Sequence, residues 1–392
     1  MRGMDKLERL RELVRTSVAA LPGERVGLAG AAGRALTRAV EAVRAAPPFS
    51  CSAMDGYALR AADVTGPLCL AVSRTVYAGE LPGPPLAPGT SVRIFTGAPL
   101  PPGADAVVRE EAAREADGQV ELLDAPRAGE NVRQAGEDMA AGAIALPAGV
   151  RLGPRQLALL AAVGVEEVEV SRRPRVALLS TGDEVVSGRT PDSNGIALAG
   201  ALAALGAEVD RRRVPDDLDA LAAALGDALA RSDAVVTVGG VSIGAHDHVR
   251  AAVERVGGEV RVHGVPMKPG KPFLFALAGG KPVFGMPGSP SACLVAFEVF
   301  ARPALLALAG AVRHERRRLR LPLAEPLGGR PGRARFVWAR LEPGGVVRPI
   351  GRDAAQIRGP ALADALIQLR EGTGELAAGE PVETWLLEDD CP

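Results

Sequence analysis

Between Arg175 and Leu308 the chain alternates short apolar runs with helix-length segments. This alternation constrains the fold more than any other feature. Residues 176–179, 207–214, 234–238, 259–265, 273–277 and 283–284 read as strands, the run 234–238 being wholly apolar apart from one threonine. Residues 196–205, 216–231, 247–256 and 291–308 read as the helices between and after them. Asp192, Ser193 or Asn194 caps the first helix. The acidic start of the second suits the positive end of a helix dipole. Repeated strand–helix–strand units predict a mainly parallel sheet with helices on both faces, a three-layer α/β/α domain.

The flanking regions read differently. Residues 6–21 and 28–40 are expected to be two short helices separated by Pro22-Gly23, the first amphipathic on Leu7, Leu10 and Val14. Short strands with many turns follow to about residue 133, and the prolines between residues 81 and 88 forbid a helix there. Residues 153–163 read as a helix with Pro154 in its first turn, and 166–170 as a strand. After Arg316-Arg317-Arg318, read as a solvated interdomain stretch, strand-like segments with Gly-Gly turns predict a small terminal β-barrel. The expected division is a discontinuous helical linking domain (1–45 and 133–170), a β-rich module (46–132), the α/β domain (171–312) and a C-terminal β domain (313–392).

Composition excludes several classes of function. Lys and Arg number 46 against 47 Asp and Glu, so the chain lacks the positive field of a nucleic-acid clamp. The longest uncharged run, 282–297, has 16 residues and is broken by Pro and Gly, so no membrane span is expected. Cys51, Cys69, Cys293 and Cys391 form no CxxC pair, which points to a reducing, cytoplasmic setting rather than to zinc or a disulfide framework. No dinucleotide fingerprint opens the first helix, no phosphate-binding GxxxxGK[ST] occurs, and no Ser-His-Asp triad suggests itself.

In an open parallel sheet, ligands bind beyond the carboxyl ends of the strands. Four loops leave such ends: 180–184, 239–247, 267–272 and 285–291. Gly182, Gly239, Gly240, Gly288 and their neighbours Thr181 and Ser242 suit an anion cradle of backbone N–H groups. Lys268 and Lys271 add positive charge. Asp183, Glu184 and Asp247 offer oxygens to a hard cation such as Mg²⁺. Each piece has a plainer reading: a Gly-Gly pair is a turn, an acidic residue caps a helix, a lysine is solvated. His246 and His248 read as a polar loop, Cys293 as a small buried hydrophobe and Asp55 as a turn residue before Gly56. Four such loops on one edge favour a phosphorylated ligand with a divalent metal.

These loops, in this order, resemble the molybdopterin-binding domain shared by molybdopterin adenylyltransferases, molybdopterin molybdenumtransferases of the MoeA type and the C-terminal part of gephyrin. The string PPFSCSAMDGYA at 47–58 resembles a signature of the molybdenumtransferases. So do RIFTGAP at 93–99 with PGADAVV at 102–108, and GENVR at 129–133 with GED at 136–138. The resemblance spans almost the whole chain and implies an α/β multidomain fold.

It further implies a homodimer whose active site lies between the molybdopterin-binding domain of one subunit and the β-rich module of the other. Adenylylated molybdopterin and molybdate are the implied substrates, and molybdenum enters the dithiolene with Mg²⁺-dependent release of AMP. Asp55, Asp138, Glu184 and Asp247 are the implied catalytic residues, with Asp183, Glu184 and Asp247 on the metal. Thr96, Thr181, Gly182, Asp183, Asp216, Gly239, Gly240, Ser242, Lys268, Lys271, Pro287, Gly288 and Pro290 are expected to bind substrate. The other readings are molybdopterin adenylylation and a non-enzymatic scaffold. A molybdopterin adenylyltransferase and molybdoenzyme apoproteins are the expected partners, with no nucleic acid and no membrane. The N-terminal region is expected to be too thin to bury a core alone, a second reason to expect a two-fold dimer. The chain departs from the family where a cation is common, at Gly264 beside His263. It departs again at 351–357, where Ala355 replaces a hydroxyl, and in the short loop 187–194.

Overall fold

The computed structural model describes residues 6–64, 69–241, 248–329, 332–351 and 355–387; the predicted site residues Ser242 and Asp247 lie outside the described residues. The chain forms two compact units. One comprises Met1–Arg38, Ala148–Pro154 and Glu169–Pro392, the other Ala39–Pro147 and Arg155–Val168.

The first unit contains the α/β sheet. Its strands are β1 (Arg175–Thr181), β2 (Glu208–Val214), β3 (Ala234–Val238), β4 (Glu259–His263), β5 (Leu274–Ala278) and β6 (Lys281–Met286), in the order 2-1-3-6-5-4. Strands β2, β1, β3 and β6 are parallel. Strand β5 is antiparallel to both β6 and β4, so β4 again runs with the majority. The four loops predicted to carry chemistry therefore all leave one edge. Val176, Leu178, Val236 and Phe284 face one core, and Ala177, Leu179, Val235 and Val283 the other. Both faces are covered, which is why these strands read as apolar runs. Helix α1 (Ser193–Ala204) is capped by Asp192, whose Oδ1 accepts from Gly195 N–H at 2.9 Å. Helix α2 (Leu218–Arg231) is capped by Asp217, and α3 spans His248–Arg255.

The last helix of the α/β domain, α4 (Pro290–Leu308), has 19 residues; its most apolar stretch has mean hydropathy 1.7 and is 83% buried, so it is a core helix rather than a membrane span. The helix expected over 291–308 carries Glu298 into the core, where it meets Arg316 Nε at 2.9 Å with both side chains largely buried. A π-helical turn at Phe297–Ala301 precedes Pro303. Proline lacks the N–H that would donate to Val299 O four residues back. Arg11, from the N-terminal helix Lys6–Thr16, donates its Nε–H to that carbonyl instead, at 3.1 Å.

After Arg313 the chain forms strands Arg318–Pro322, Ala334–Glu342, Val346–Gly351, Ala365–Leu369 and Pro381–Leu386. A bridge from Leu323 to Val347, with Ala324 N–H donating to Val347 O at 2.9 Å, joins the ends of this sheet into a small barrel. Val337, Ala339, Ile367 and Val382 share its interior cluster, while Phe336, Trp338 and Trp385 pack with α4. Arg318 lies over the Trp385 ring and pairs with Glu315 and Glu383. Arg316 and Arg318 are thus packed connectors, not the solvated stretch expected.

The expected helix over 28–40 is absent. A single 3₁₀ turn, Leu28–Ala31, is followed by extended chain whose Leu36 N–H donates to Val150 O and Thr37 N–H to Glu169 O, each at 3.0 Å. Glycines at 30 and 33 weaken a helix there, and tertiary strand pairing wins.

The second unit holds a six-stranded sheet in the spatial order Ala106–Arg109, Gly56–Leu59, Thr90–Ile94, Cys69–Val76, Gln119–Leu122, Ala113–Ala116. Ala58, Val92, Ile94 and Val107 form one cluster, and Tyr57, Leu59, Ala106 and Val120 another. The module therefore buries cores of its own, contrary to the expectation that it is too thin to do so. Helix Pro154–Ala162 begins at Pro154 as expected.

Candidate functional site

The strand order 2-1-3 places the topological switch point between β1 and β3, where ligands enter doubly wound sheets. Thr181 ends β1 and donates its hydroxyl to Val238 O at 3.0 Å. A Cβ on Gly239 would lie 2.8 Å from that hydroxyl oxygen, at φ +86°, so only glycine fits this approach. Gly239 N–H donates to Met286 O at 3.0 Å, which ties the second loop to the fourth. Asp183 Oδ1 accepts from Asp216 N–H at 3.1 Å, joining the loops after β1 and β2. Thr181, Gly182, Asp183, Asp216, Gly239 and Gly240 are thus brought together by direct contacts, with 286–288 beside them. Thr181, Gly182 and Pro287 are buried; Asp183, Glu184, Asp216 and Gly288 are exposed.

Asn194 was read only as a candidate cap. The cap is Asp192, and Asn194 donates its side-chain N–H to Gly288 O at 2.7 Å, linking the start of α1 to the fourth loop. The sequence signal was the run Asp192-Ser193-Asn194, where one cap explains only one of three polar residues.

Lys268 and Lys271 sit on the loop that leaves β4 at the same edge, Lys271 exposed and Lys268 partly covered. Met267–Lys268 also pairs in parallel with Ala334 and Arg335 of the barrel. Cys293 is fully buried, and burial pushes its thiol up to about 12, which makes it a core hydrophobe. Among the described residues, no group of three His, Cys, Asp or Glu side chains is placed to hold a metal. The candidate metal set includes Asp247, outside the described residues.

Asp55, Thr96 and Asp138 belong to the second unit. Asp55 Oδ1 accepts from both the backbone N–H and the hydroxyl of Thr96, each at 2.7 Å. Those bonds, the backbone one first, hold the exposed Asp55 carboxyl below its ordinary range. Two residues implied independently by resemblance are therefore one hydrogen-bonded pair. Gly56, next in the chain, is required because a Cβ would lie 1.9 Å from Val108 O of the neighbouring strand. Asp138 is exposed, and its N–H donates to Ala46 O at 3.1 Å. Its segment is anchored where Val132–Arg133 pairs with Cys51–Ser52.

Comparison with known proteins is consistent along the chain. Residues 5–164 match the model of the MoeA N-terminal region (domain I and II), 177–307 a "probable molybdopterin binding domain", and 320–387 the MoeA C-terminal region (domain IV). Molybdopterin molybdenumtransferase 2 of Mycobacterium tuberculosis (strain ATCC 25618 / H37Rv) is 36% identical over 92% of this chain and 94% of its own length. The molybdopterin molybdenumtransferase of Synechococcus elongatus is 37% identical over 95% of this chain and 97% of its own length. A crystal structure of the molybdopterin biosynthesis MoeA protein from Pyrococcus horikosii superposes with a TM-score of 0.79 at 33% identity, covering 98% of this chain and 99% of the other.

Proposed function

We propose, for a chain that belongs to the MoeA-type molybdopterin molybdenumtransferase family, that the carboxyl edge of the α/β sheet receives adenylylated molybdopterin. The chain is a transferase of molybdenum cofactor biosynthesis. In the proposed reaction molybdate, a substrate, delivers molybdenum to the dithiolene and AMP leaves. The observation that carries this reading is the joining of the first, second and fourth loops at the switch point, where Thr181 packs on Gly239 and Gly239 N–H donates to Met286 O, at the edge where ligands enter doubly wound sheets.

In this reading Gly240, Ser242 and Gly288 line the phosphate, while Gly182 and Gly239, whose N–H groups donate to Val214 O and Met286 O, let the backbone pass close beside it. Lys268 and Lys271 neutralise phosphate or molybdate from the third loop, and Thr181, Asp216, Pro287 and Pro290 shape the edge. Asp183, Glu184 and Asp247 are the residues that would hold Mg²⁺. Asp183 and Glu184 are exposed hard-oxygen donors at the start of one helical turn, a fit to an ion that takes its other ligands from phosphate and water. When bound, the ion supplies charge neutralisation at the phosphate of the departing AMP. Asp55, oriented by Thr96 in the β-rich module, and Asp138, just beyond that module in the linking segment, act from a second subunit in a two-fold dimer. Free Cys51, Cys69 and Cys293 suit a reducing cytoplasm.

The test is incubation with adenylylated molybdopterin, molybdate and Mg²⁺. AMP release with formation of active cofactor supports the proposal. Adenylylation from ATP instead identifies the preceding step, and binding without turnover identifies a scaffold. Asp247→Asn is expected to keep the fold and lower AMP release by about two orders of magnitude or more, because an amide serves as a helix cap but not as a Mg²⁺ ligand. Near wild-type turnover at limiting Mg²⁺ removes Asp247 from the metal site. Sedimentation at the mass of one chain at micromolar concentration removes the dimer.

A further inference from the structure

One strand of the barrel, Ala334–Glu342, holds two of the four edge loops. At its start Ala334 and Arg335 pair with Met267 and Lys268, and Ala334 N–H donates to Pro266 O at 2.9 Å. Three residues on, Trp338 donates its indole Nε1–H to Ser291 Oγ at 2.8 Å. Ser291 is the second residue of α4, next to Pro290 and the turn 287–290. Both partners are buried, Trp338 at 5% and Ser291 at 1% exposure. A strand advances about 3.3 Å per residue, so the two attachment points are roughly 10 Å apart on a hydrogen-bonded ruler.

A buried indole N–H needs an acceptor, and here the acceptor is the hydroxyl at the start of the helix that follows the fourth loop. The strand register is also irregular at this point, shifting between Trp338 and Ala339 against Val346–Gly351. Such shifts re-aim side chains. Packing against α4 alone would be served by phenylalanine, as at Phe336 two residues before.

We infer that Trp338 is a positioning residue for the substrate edge: it fixes Ser291, and with it the 287–290 turn, at a set distance from the Lys268 loop. The C-terminal barrel thereby sets the geometry in which the phosphorylated pterin is held. The inference rests on the reading of this edge as the substrate site. Trp338 touches no reacting group; it acts through Ser291 and through the strand it shares with the lysine loop.

The experiment compares the full-length wild type, Trp338→Phe, Ser291→Ala and the double variant, by calorimetric binding of adenylylated molybdopterin, by kcat and KM, and by Tm. Trp338→Phe is expected to weaken binding and raise KM by about tenfold with kcat unchanged, the size of one lost buried hydrogen bond. The double variant is expected to be no weaker than Trp338→Phe alone, because the two residues act as one unit. A lower Tm with wild-type affinity and KM reduces Trp338 to packing and overturns the inference. So do fully additive losses in the double variant. Should Trp338→Phe fail to fold, Ser291→Ala keeps the indole in place and decides on its own: weaker binding supports the inference, wild-type binding overturns it. Absence of binding by the wild type overturns the underlying reading of the edge, and the inference with it.

Discussion

Arg11→Met tests how the N-terminal helix is fixed to the rest of its unit. Arg11 is 4% exposed and serves three sets of partners. Its Nε–H fills the place of the N–H that Pro303 cannot offer to Val299 O. Its guanidinium lies 4.8 Å from the centre of the Trp385 ring, and it pairs with Glu8 and Glu315. Methionine keeps the apolar stem and removes the rest. An orphaned buried carbonyl costs about 1–3 kcal/mol. The lost cation over the ring costs about 0.5–1 kcal/mol. The two carboxylates are partly exposed, and Arg318 still serves Glu315, so they add at most about 1 kcal/mol. The expected loss is about 3 kcal/mol, or about 6 °C in the melting of this unit. Hydrogen exchange of residues 6–16 and 290–308 localises it. Pro303→Ala in the Arg11→Met background restores a donor for Val299 and is expected to recover part of the loss. Burial pushes the Glu315 carboxyl up, and the Arg11 and Arg318 charges more than offset it, holding it below its ordinary 4.5. A lowered carboxyl stabilises above that value and loses its contribution as pH falls through the folded-state value. The gap between wild type and Arg11→Met should therefore narrow below about pH 4.5. A loss under about 0.5 kcal/mol, or no recovery with Pro303→Ala, refutes the reasoning.

Thr96→Val removes one of the two donors to Asp55 and should raise that carboxyl toward its ordinary range. In the proposed role Asp55 acts as a carboxylate, so the acid limb of the activity profile is expected to move to higher pH. Carboxyl carbon NMR titration of Asp55 checks it, and an unmoved titration contradicts it. Changing Lys268 and Lys271 together to Ala should weaken pterin binding and flatten its salt dependence, read by calorimetry at two ionic strengths; unchanged affinity counts against a phosphate role. Gly239→Ala places a Cβ against the Thr181 hydroxyl at positive φ. It should cost about 1–3 kcal/mol by chemical denaturation and impair binding beyond that loss; wild-type stability and affinity would show the approach to be slack.

The α/β sheet was legible because its information is local. Strands buried on both faces must be apolar runs, and caps such as Asp192 announce where helices start. Putting all four loops on one edge followed from strand direction, which alternation implies. Pairs such as Asp55 with Thr96 were reachable only as separate motif residues, because 41 positions part them and only the fold makes them one hydrogen-bonded unit. Residues 28–40 misled because helix propensity is a weak prior and strand pairing with distant segments overrode it. Arg316 and Arg318 misled because charge suggests solvent until the partners are known. Glu298, Glu383 and the Trp385 face come from other parts of the chain and, with the neighbouring Glu315, offset the burial of those arginines. The sequence alone determined which chemistry the edge loops carry, since residue type decides that. The tertiary structure alone decided which of those groups meet, and that a proline's missing N–H is supplied by an arginine nearly three hundred residues away, because buried polar groups take their partners by proximity in space.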